Sequence, residues 1–501
     1  MQRDSRPSPR VVWRGRLYLA GLVLIVFTGA LLRLRGLGAR SLWLDEFCTW
    51  HVSRMPLGAS LRWPPELSKP PLYQFCLRLL TPDPRPPEWL LRLPAAAFGT
   101  LVIAAGAWLG RICGGRRTAL ALAALLAANP LQFDYSQEAR SYSLLVLGCA
   151  LSITCWYRLV MQPSRRFAVL YAAATVMAIH AHYLATLTIT AEVAWWLIVS
   201  RGGSRRQWML PAVALGAAGA LCTPIVIHVL WRRASMFEGL AWIPAATWSG
   251  AARILAKLSC GRAWAYIVLP VSMALWAWMS WRPRRRGVPA PSSARNAAAA
   301  LLVLWLLSAW LGLLMISWVA NPLLIARYAL PAAVPAMLLP LLVAARLHRH
   351  APLILAGVFL MITAPEWLRH GAEVSPGFRE LVQYLNEHAD PESSMVAILI
   401  ENVTHPDWAD MQRLGFDYYP LQRLPVCDLY LAAGAVERNR PVLADPRTLY
   451  IVVFLGDPLP LIQAAGRRTS AFRLDGQTYS QLLFTPYRLL QVAPIAGADE
   501  Q

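Results

Sequence analysis

Charged side chains are scarce in this sequence: they make up 15% of its 501 residues, against about 25% in ordinary soluble proteins. Hydrophobic residues reach 57%, and the mean hydropathy is +0.42. The eight cysteines form no CxxC pair and no Cys/His cluster with zinc-like spacing. These shortages exclude a disordered chain, a coiled coil and a small disulfide scaffold. The class that remains is a polytopic membrane protein.

Acidic residues are especially rare in the first part of the chain. The first 369 residues carry 11 acidic and 38 basic side chains, whereas residues 370–501 carry 16 acidic and 10 basic ones. The net charge of +21 therefore belongs to the apolar part, where Arg clusters separate hydrophobic runs. This pattern is typical of cytoplasmic loops between membrane helices, so it predicts a lipid bilayer as partner and no nucleic acid.

Long apolar runs divide the first part of the chain at the spacing of membrane crossings, which take about 20 residues each. The first run is followed by Arg33 and Arg35 and not by a small-residue cleavage site, so it is not a removable signal. We predict eleven crossings, at 17–34, 93–110, 117–131, 142–160, 167–181, 183–199, 208–231, 263–281, 297–318, 329–346 and 351–367.

With eleven crossings, all the Arg clusters fall on one side of the membrane, which should be the cytoplasm. The N-terminus then lies inside, and the first outer loop (35–92) and the tail lie outside. We expect a transmembrane domain at 1–368 and an external domain at 369–501. The tail combines a helical repeat near 378–385 with buried strand-like runs at 395–400 and 449–455, which predicts a small α/β domain.

The first outer loop carries adjacent carboxylates, Asp45 and Glu46, which could supply a general base and its neighbour or simply begin a surface helix. Lys69 precedes two prolines and could bind a lipid phosphate or extend toward lipid headgroups. Cys48 and Cys76 lie in the same loop and could pair or remain free.

Further candidates lie in the other outer connections. Arg140 could hold an anion or pair with a neighbouring carboxylate, and Arg327 could contact a substrate or a headgroup. The His residues of the 180–183 segment give only a weak metal signal. The candidate substrate-site residues are Asp134, Glu138, Tyr142, His182, Tyr183 and Tyr328.

The order of these motifs along the chain is specific. LWLDE (42–46), KPPLY (69–73), SQEARSY (136–142), HAHY (180–183) and ARYALP (326–331) follow one another. This series resembles the bacterial polyprenyl-phosphate-sugar glycosyltransferases with the type C fold, which are glycosyltransferase family 39-like. They include protein O-mannosyltransferases, the lipid A aminoarabinose transferase and lipopolysaccharide-core galacturonosyl transferases.

The resemblance implies an inverting transfer of one sugar from a polyprenyl-phosphate donor to an extracytoplasmic lipid, glycan or protein, in the bacterial inner membrane. It gives Asp45 the role of catalytic carboxylate, Glu46 a supporting role and Lys69 a contact with the donor phosphate. Arg140 and Arg327 could neutralise the same phosphate. The aminoarabinose transferases have a Glu where this chain has Ser68, and this difference argues against a metal site and against that particular sugar. A divalent metal is left open as a cofactor. A transporter or flippase of lipid-linked sugars and an inactive relative are the alternatives.

Overall fold

A computed structural model describes most of the chain, and the described residues form two compact units. The first unit contains residues 1–35, 67–76 and 92–372, and the second contains 36–66, 77–91 and 373–501. The described residues are 9–63, 70–201, 204–238, 243–281, 293–369, 377–400, 406–430, 436–453, 458–464, 468–470, 472–474, 477–479, 481–484 and 487–493.

Helices make up most of the described part of residues 9–369. A π-helical turn (Trp264–Val268) leads into α13, and a 3₁₀ turn (Leu330–Ala332) leads into α15. In chain order the helices are α1 Pro9–Leu34, α2 Leu44–Arg54, α3 Leu57–Ser60, α4 Leu72–Leu80, α5 Glu88–Gly114, α6 Arg116–Ala128, α7 Pro130–Asp134, α8 Tyr142–Met161, α9 Arg165–Ala181, α10 Ala185–Val199, α11 Arg205–Glu238, α12 Trp248–Leu258, α13 Leu269–Trp281, α14 Ser293–Val319, α15 Ala333–Leu347 and α16 Ala351–Arg369.

Each of the eleven predicted runs is largely helical, and the multi-pass helical architecture is confirmed. The run at 117–131 covers α6 and the start of α7, and the runs at 263–281 and 329–346 each include a short turn of another helix type. Among the residues described, seven helices are long and apolar enough to cross a membrane. Two shorter apolar helices are Ala185–Val199 and Ala351–Ala364. The run at 167–199 forms two helices, α9 and α10, that are separated at residues 182–184.

Small residues allow the closest helix contacts in the first unit. A Cβ atom added at Gly148 on α8 would lie 2.8 Å from the Cα of Ala178 on α9, so only glycine permits this approach. Such close contacts are the usual way in which helices associate in lipid, where the hydrophobic effect does not drive association.

Glu192 on α10 joins three helices inside the first unit. Its side chain is fully buried, and its two carboxylate oxygens accept hydrogen bonds from Ser152 on α8 (2.6 Å) and Tyr171 on α9 (3.0 Å). The indole of Trp156 on α8 donates to the backbone carbonyl of Glu192 at 2.8 Å. One acidic residue therefore fixes the register of α8, α9 and α10.

The tail forms an α/β fold within the second unit, as predicted. The helix expected near 378–385 is α17, and the two expected strands are β1 and β3. The elements are α17 Phe378–His388, β1 Ser394–Ile400, α18 Pro406–Tyr418, β2 Val426–Tyr430, α19 Val436–Leu443, β3 Thr448–Val453, α20 Leu459–Ala464, β4 Thr469–Ser470, β5 Phe472–Leu474, β6 Gln477–Tyr479, β7 Leu482–Phe484 and β8 Tyr487–Val492.

The main sheet has the order β2-β1-β3-β8-β4, with β7 pairing to β8, and β5 and β6 form a separate hairpin. β1 pairs in parallel with β2 and with β3, while β8 is antiparallel to β3. Helices α18 and α19 make the crossovers that parallel strands require. Both faces of the central strands are buried, because Ala397 and Ile451 belong to the main core cluster while Val396 and Val452 are also inaccessible.

We predict that replacing Glu192 destabilises the first unit. Glu192→Leu removes the acceptor that the buried hydroxyls of Ser152 and Tyr171 share. The Ser152 hydroxyl can still bond to Thr175 at 3.0 Å, so we expect a total cost of about 1–3 kcal/mol, that of one unsatisfied buried group. Glu192→Gln keeps one acceptor oxygen and should cost less. Thermal unfolding in detergent measures both, with Thr190→Val, at an exposed position of the same helix, as the control. A Glu192→Leu variant as stable as wild type would contradict this role.

Candidate functional site

The Asp45–Glu46 pair lies in the first turn of α2, in the second unit. The Glu46 side chain is fully buried, and its carboxylate accepts the backbone N–H of Trp43 at 3.4 Å. Glu46 therefore stabilises the start of the helix. Asp45 is only partly buried, and the hydroxyl of Thr49 donates to its backbone carbonyl. Of the two carboxylates, Asp45 is the more accessible.

Aromatic packing holds α2 against the tail within the second unit. The ring of Phe47 lies 5.4 Å from Phe378 and 5.9 Å from Tyr419, both edge-on, measured between centroids. The ring of Trp50 lies 5.1 Å from Tyr418 in the same kind of arrangement. Edge-to-face pairs each contribute about 0.5–1.5 kcal/mol beyond the area that they bury. The helix that carries Asp45 is therefore fixed by residues more than 330 positions later in the sequence.

An ionic network adds to this contact. The Arg379 guanidinium donates to the Glu88 carboxylate at 2.9 Å and to the carbonyl of Ala39 at 2.8 Å. The hydroxyl of Tyr419 donates to the same Glu88 oxygen at 2.9 Å, and it accepts the backbone N–H of Leu42 at 3.1 Å. These bonds connect the chain before α2, the start of α5 and the tail.

Tyr487 on β8 also lies near the start of α2. Its phenol interacts with the backbone of Leu44, and its ring packs edge-on against Phe378 at 4.8 Å. Burial raises the pKa of Tyr487 well above its usual value, and the nearby Asp45 and Glu46 raise it further. Tyr487 therefore stays a neutral phenol beside the two carboxylates.

In the first unit, the segment 129–141 is held in place by internal hydrogen bonds. The amide of Gln137 donates to the carbonyls of Arg33 (3.0 Å) and Arg35 (2.8 Å). The hydroxyl of Ser143 donates to the carbonyl of Tyr135 at 3.0 Å. A Cβ atom added at Gly99 on α5 would overlap the Cβ of Ser136. The backbone of this segment therefore has little freedom to move.

The segment leads into a group of side chains that we call the outer cluster: Tyr135 and Arg327, which are partly buried, and Arg140, Tyr142, His182 and Tyr328, which are buried. Arg140 is 1% exposed, Tyr142 is inaccessible and His182 is 3% exposed. The His182 ring lies 6.0 Å from Tyr142 and 5.3 Å from Tyr328, and Tyr142 lies 5.2 Å from Tyr135. The guanidinium carbon of Arg327 is 5.9 Å from the centroid of the Tyr328 ring.

The charge state of His182 follows from these neighbours. It lies in the short connection between α9 and α10, outside both helices. Burial lowers the pKa of His182 to about 3, and the positive charges of Arg140 and Arg327 contribute to the lowering. His182 is therefore a neutral imidazole at physiological pH. The cluster combines two cationic side chains with neutral hydrogen-bonding groups.

A pocket of about 660 Å³ lies in the first unit, lined in part by the segment 129–134. Its polar lining includes Asp134 and three cationic residues, Arg253, Lys257 and Arg262, while Phe359 and other α16 residues form an apolar wall. Arg253 and Lys257 lie one turn apart on α12, so they project from one face of that helix. The Asn129 amide donates to the carbonyl of Ser259 at 2.9 Å, beside the pocket.

These three cations did not enter the sequence-based set of site residues. Lys257 is one of only two lysines in the chain, and this rarity could have drawn attention to it as a site residue. It lies, however, on a helix with an ordinary polar face. Nothing in the sequence alone shows that this helix borders a pocket.

The structure thus brings several predicted site residues together in the outer cluster: Arg140, Tyr142, His182, Arg327 and Tyr328. Asp134 lines the neighbouring pocket, and Asp134 and Glu138 lie within electrostatic reach of Tyr135. Tyr183 lies beside His182, partly buried. Asp45 and Glu46 belong to the second unit. Lys69 lies outside the described residues. Cys48 and Cys76 are both free thiols.

Metal-binding geometry is also absent from the described part of the chain. No group of three or more His, Cys, Asp or Glu side chains is placed there to hold a metal ion. His180 and His182 do not act as a pair, since the Nδ1 atom of His180 contacts the carbonyl of Val176 at 2.9 Å.

The fold defines a class. Residues 68–231, less than half of the chain, match the family model for dolichyl-phosphate-mannose-protein mannosyltransferases. No curated protein matches the chain by sequence. The arrangement of helices with a small C-terminal sheet domain is the type C glycosyltransferase fold. The chain is therefore a multi-pass membrane protein with that fold, and the predicted resemblance is confirmed.

Two solved structures make the likeness specific. ArnT from Cupriavidus metallidurans, bound to undecaprenyl phosphate, superposes with a TM-score of 0.57 at 15% identity, covering 95% of this chain and 98% of that protein. The Archaeoglobus fulgidus oligosaccharyltransferase, in complex with zinc and sulfate, superposes with a TM-score of 0.53 at 13% identity, covering 91% of this chain and 72% of that one. At these identities, the likeness shows the fold.

We predict that Arg379 stabilises α2. Arg379→Met removes the ion pair with Glu88 and the bond to Ala39, which should weaken the attachment of α2 by about 1 kcal/mol. Amide hydrogen exchange across Leu44–Arg54 should then be about fivefold faster. Combining the change with Glu88→Gln should add little, because both residues belong to one network.

The matched control is Arg413→Met, which breaks the Arg413–Asp428 ion pair elsewhere in the same unit. Exchange in α2 should stay at the wild-type rate in this variant. Equal acceleration in both variants would show that Arg379 acts only on the general stability of the unit.

Proposed function

We propose that this protein is an inverting glycosyltransferase, which moves one sugar from a polyprenyl-phosphate donor to a lipid, glycan or protein acceptor outside the cytoplasm. The observation that carries the proposal is the outer cluster, in which the buried Arg140 lies with neutral hydrogen-bonding side chains at the ends of apolar helices. Ionisable groups in such surroundings are costly and are usually functional. Arg327 adds a second positive charge that fits a lipid phosphate.

The neighbouring pocket supports a donor that arrives through the membrane. Its apolar wall on α16 suits a hydrocarbon chain, and the positive charges of Arg253, Lys257 and Arg262 attract an anionic lipid toward it. The segment 129–141 contributes Asp134 to the pocket and Arg140 to the outer cluster. We therefore assign the pocket to recognition of the donor lipid and the outer cluster to stabilisation of the leaving phosphate, with Lys69 as a further phosphate ligand.

The proposed reaction needs a base for the acceptor. The acceptor hydroxyl oxygen bonds to the anomeric carbon from the face opposite the phosphate, and the bond between that carbon and the phosphate oxygen breaks. The electron pair leaves with the phosphate, where Arg140 and Arg327 offset the growing negative charge. The hydroxyl proton passes to Asp45. This choice is supported by α2, where Asp45 is only partly buried while the Glu46 carboxylate already accepts the backbone N–H of Trp43. Glu46 has a supporting role.

We place the protein in the bacterial inner membrane, with the N-terminus in the cytoplasm and the C-terminal domain outside. This orientation is supported by the Arg clusters, which fall in alternate connections between the membrane helices. The outer cluster and the pocket belong to the opposite set of connections, so the reaction takes place outside the cytoplasm.

We predict that Asp45→Asn abolishes most of the activity while the protein folds normally. The change keeps the size of the side chain but removes the proton acceptor, which should reduce turnover about 10²–10⁴-fold. Turnover of a labelled polyprenyl-phosphate-sugar donor by purified protein measures the effect, and thermal unfolding checks the fold. Glu46→Gln should lose less activity. A folded Asp45→Asn variant with normal turnover would remove Asp45 from the mechanism.

The two cationic sites should differ kinetically. Arg140→Met removes a positive charge that stabilises the leaving phosphate, and it should lower kcat about 10²-fold. Lys257→Met should chiefly raise the KM for the donor, because it affects recognition of the lipid in the ground state. Arg206→Met, an exposed Arg in a predicted cytoplasmic connection, is the control and should leave both constants unchanged. If Lys257→Met lowered kcat and Arg140→Met did not, the two assignments would be reversed.

A further inference from the structure

We infer that His182 contacts the substrate directly, as a fixed neutral hydrogen-bond donor whose Nε2–H binds a phosphate oxygen of the lipid donor. The inference rests on the proposed function and deepens it, because it adds an uncharged hydrogen-bond donor to the cationic residues that bind the phosphate.

The hydrogen bond at the other ring nitrogen determines the tautomer of His182. The backbone N–H of Leu184 points at Nδ1 with a separation of 3.3 Å. A backbone N–H can only donate, so Nδ1 must present its lone pair. A neutral imidazole then carries its hydrogen on Nε2. The local turn at the start of α10 thus directs the only N–H of the ring to the opposite side.

That N–H lies in a buried place and has no acceptor there. His182 is 3% exposed, and across the described residues no atom forms a hydrogen bond with Nε2. Buried donors nearly always have partners in folded proteins, so an exception needs an explanation. The rings of Tyr142 and Tyr328 pack around the imidazole at 6.0 and 5.3 Å. A ligand oxygen would satisfy the remaining donor.

The surrounding charges indicate which ligand. Arg140 and Arg327 both act on His182 through their positive charge, and this favours an anion over a neutral hydroxyl. The same charges, after burial, lower the pKa of His182 to about 3, so the ring stays neutral when the anion is absent. His182 therefore donates without exchanging its proton, and it does not compete with Asp45 as a base.

The test measures binding of undecaprenyl phosphate to the purified full-length protein in nanodiscs. His182→Leu removes the donor and should weaken this binding about tenfold or more, as expected for a hydrogen bond to a charged group. His182→Gln keeps an N–H at a similar distance and should restore binding to within about threefold. Undecaprenol, which has no phosphate, should bind equally to all variants, and phosphatidylglycerol should not compete.

His180→Leu is the matched control, because His180 lies two residues earlier and its Nδ1 already contacts the carbonyl of Val176. This variant should bind undecaprenyl phosphate like wild type. Normal phosphate binding by folded His182→Leu would overturn the inference, and so would normal binding accompanied by lost turnover, since that points to a sugar hydroxyl. Failure of the wild-type protein to bind undecaprenyl phosphate would instead reject the proposed function.

A second measurement covers the case in which His182→Leu does not fold. In wild-type protein labelled with ¹⁵N-histidine, addition of undecaprenyl phosphate should move the Nε2–H proton signal of His182 downfield. The signal is assigned by its absence in His182→Gln. An unchanged signal at saturating undecaprenyl phosphate would overturn the inference.

Discussion

Hydrocarbon offers no hydrogen bonds, so every polar group that this chain carries among its membrane helices must find its partner within the protein. The buried guanidinium of Arg33 on α1 illustrates the constraint, because it donates to the carbonyls of Ala127 (3.3 Å) and Leu126 (3.1 Å) where α6 ends. Those carbonyls have no partner within their own helix. Arg33 thus closes the end of α6 and, through its own carbonyl, supports Gln137 in the segment that leads to the outer cluster.

The same constraint separates structural from functional polar groups. Glu192 is enclosed by hydroxyl donors from two neighbouring helices, so both of its carboxylate oxygens have hydrogen-bond partners within the protein. His182 differs because one of its nitrogens is satisfied by the backbone while the other faces aromatic rings beside cationic side chains. The distinction lies in the balance of donors and acceptors, and it does not depend on how deeply each residue is buried.

The multi-pass helical architecture and the α/β tail follow from the sequence because apolar length and periodicity are local properties. The outer cluster could be predicted only in part, since the motifs identified Arg140, His182 and Arg327 without showing that their side chains meet. The attachment of α2 to the tail could not be predicted. It depends on partners such as Glu88 and Arg379, which are 291 residues apart, and the charge pattern of either segment alone fits an ordinary surface. Lys257 was missed because its helix resembles any amphipathic interfacial helix.

The second unit is assembled from stretches near the beginning of the chain and from its last part, and this arrangement has a consequence for biosynthesis. During translation the residues of α2 emerge hundreds of positions before Phe378, Arg379 and Tyr419. The helix that carries Asp45 therefore lacks its aromatic and ionic supports until residues 378–419 have been synthesised. A nascent chain that stops before residue 378 would have its apolar helices but no organised α2, so the support of this carboxylate depends on synthesis of the tail.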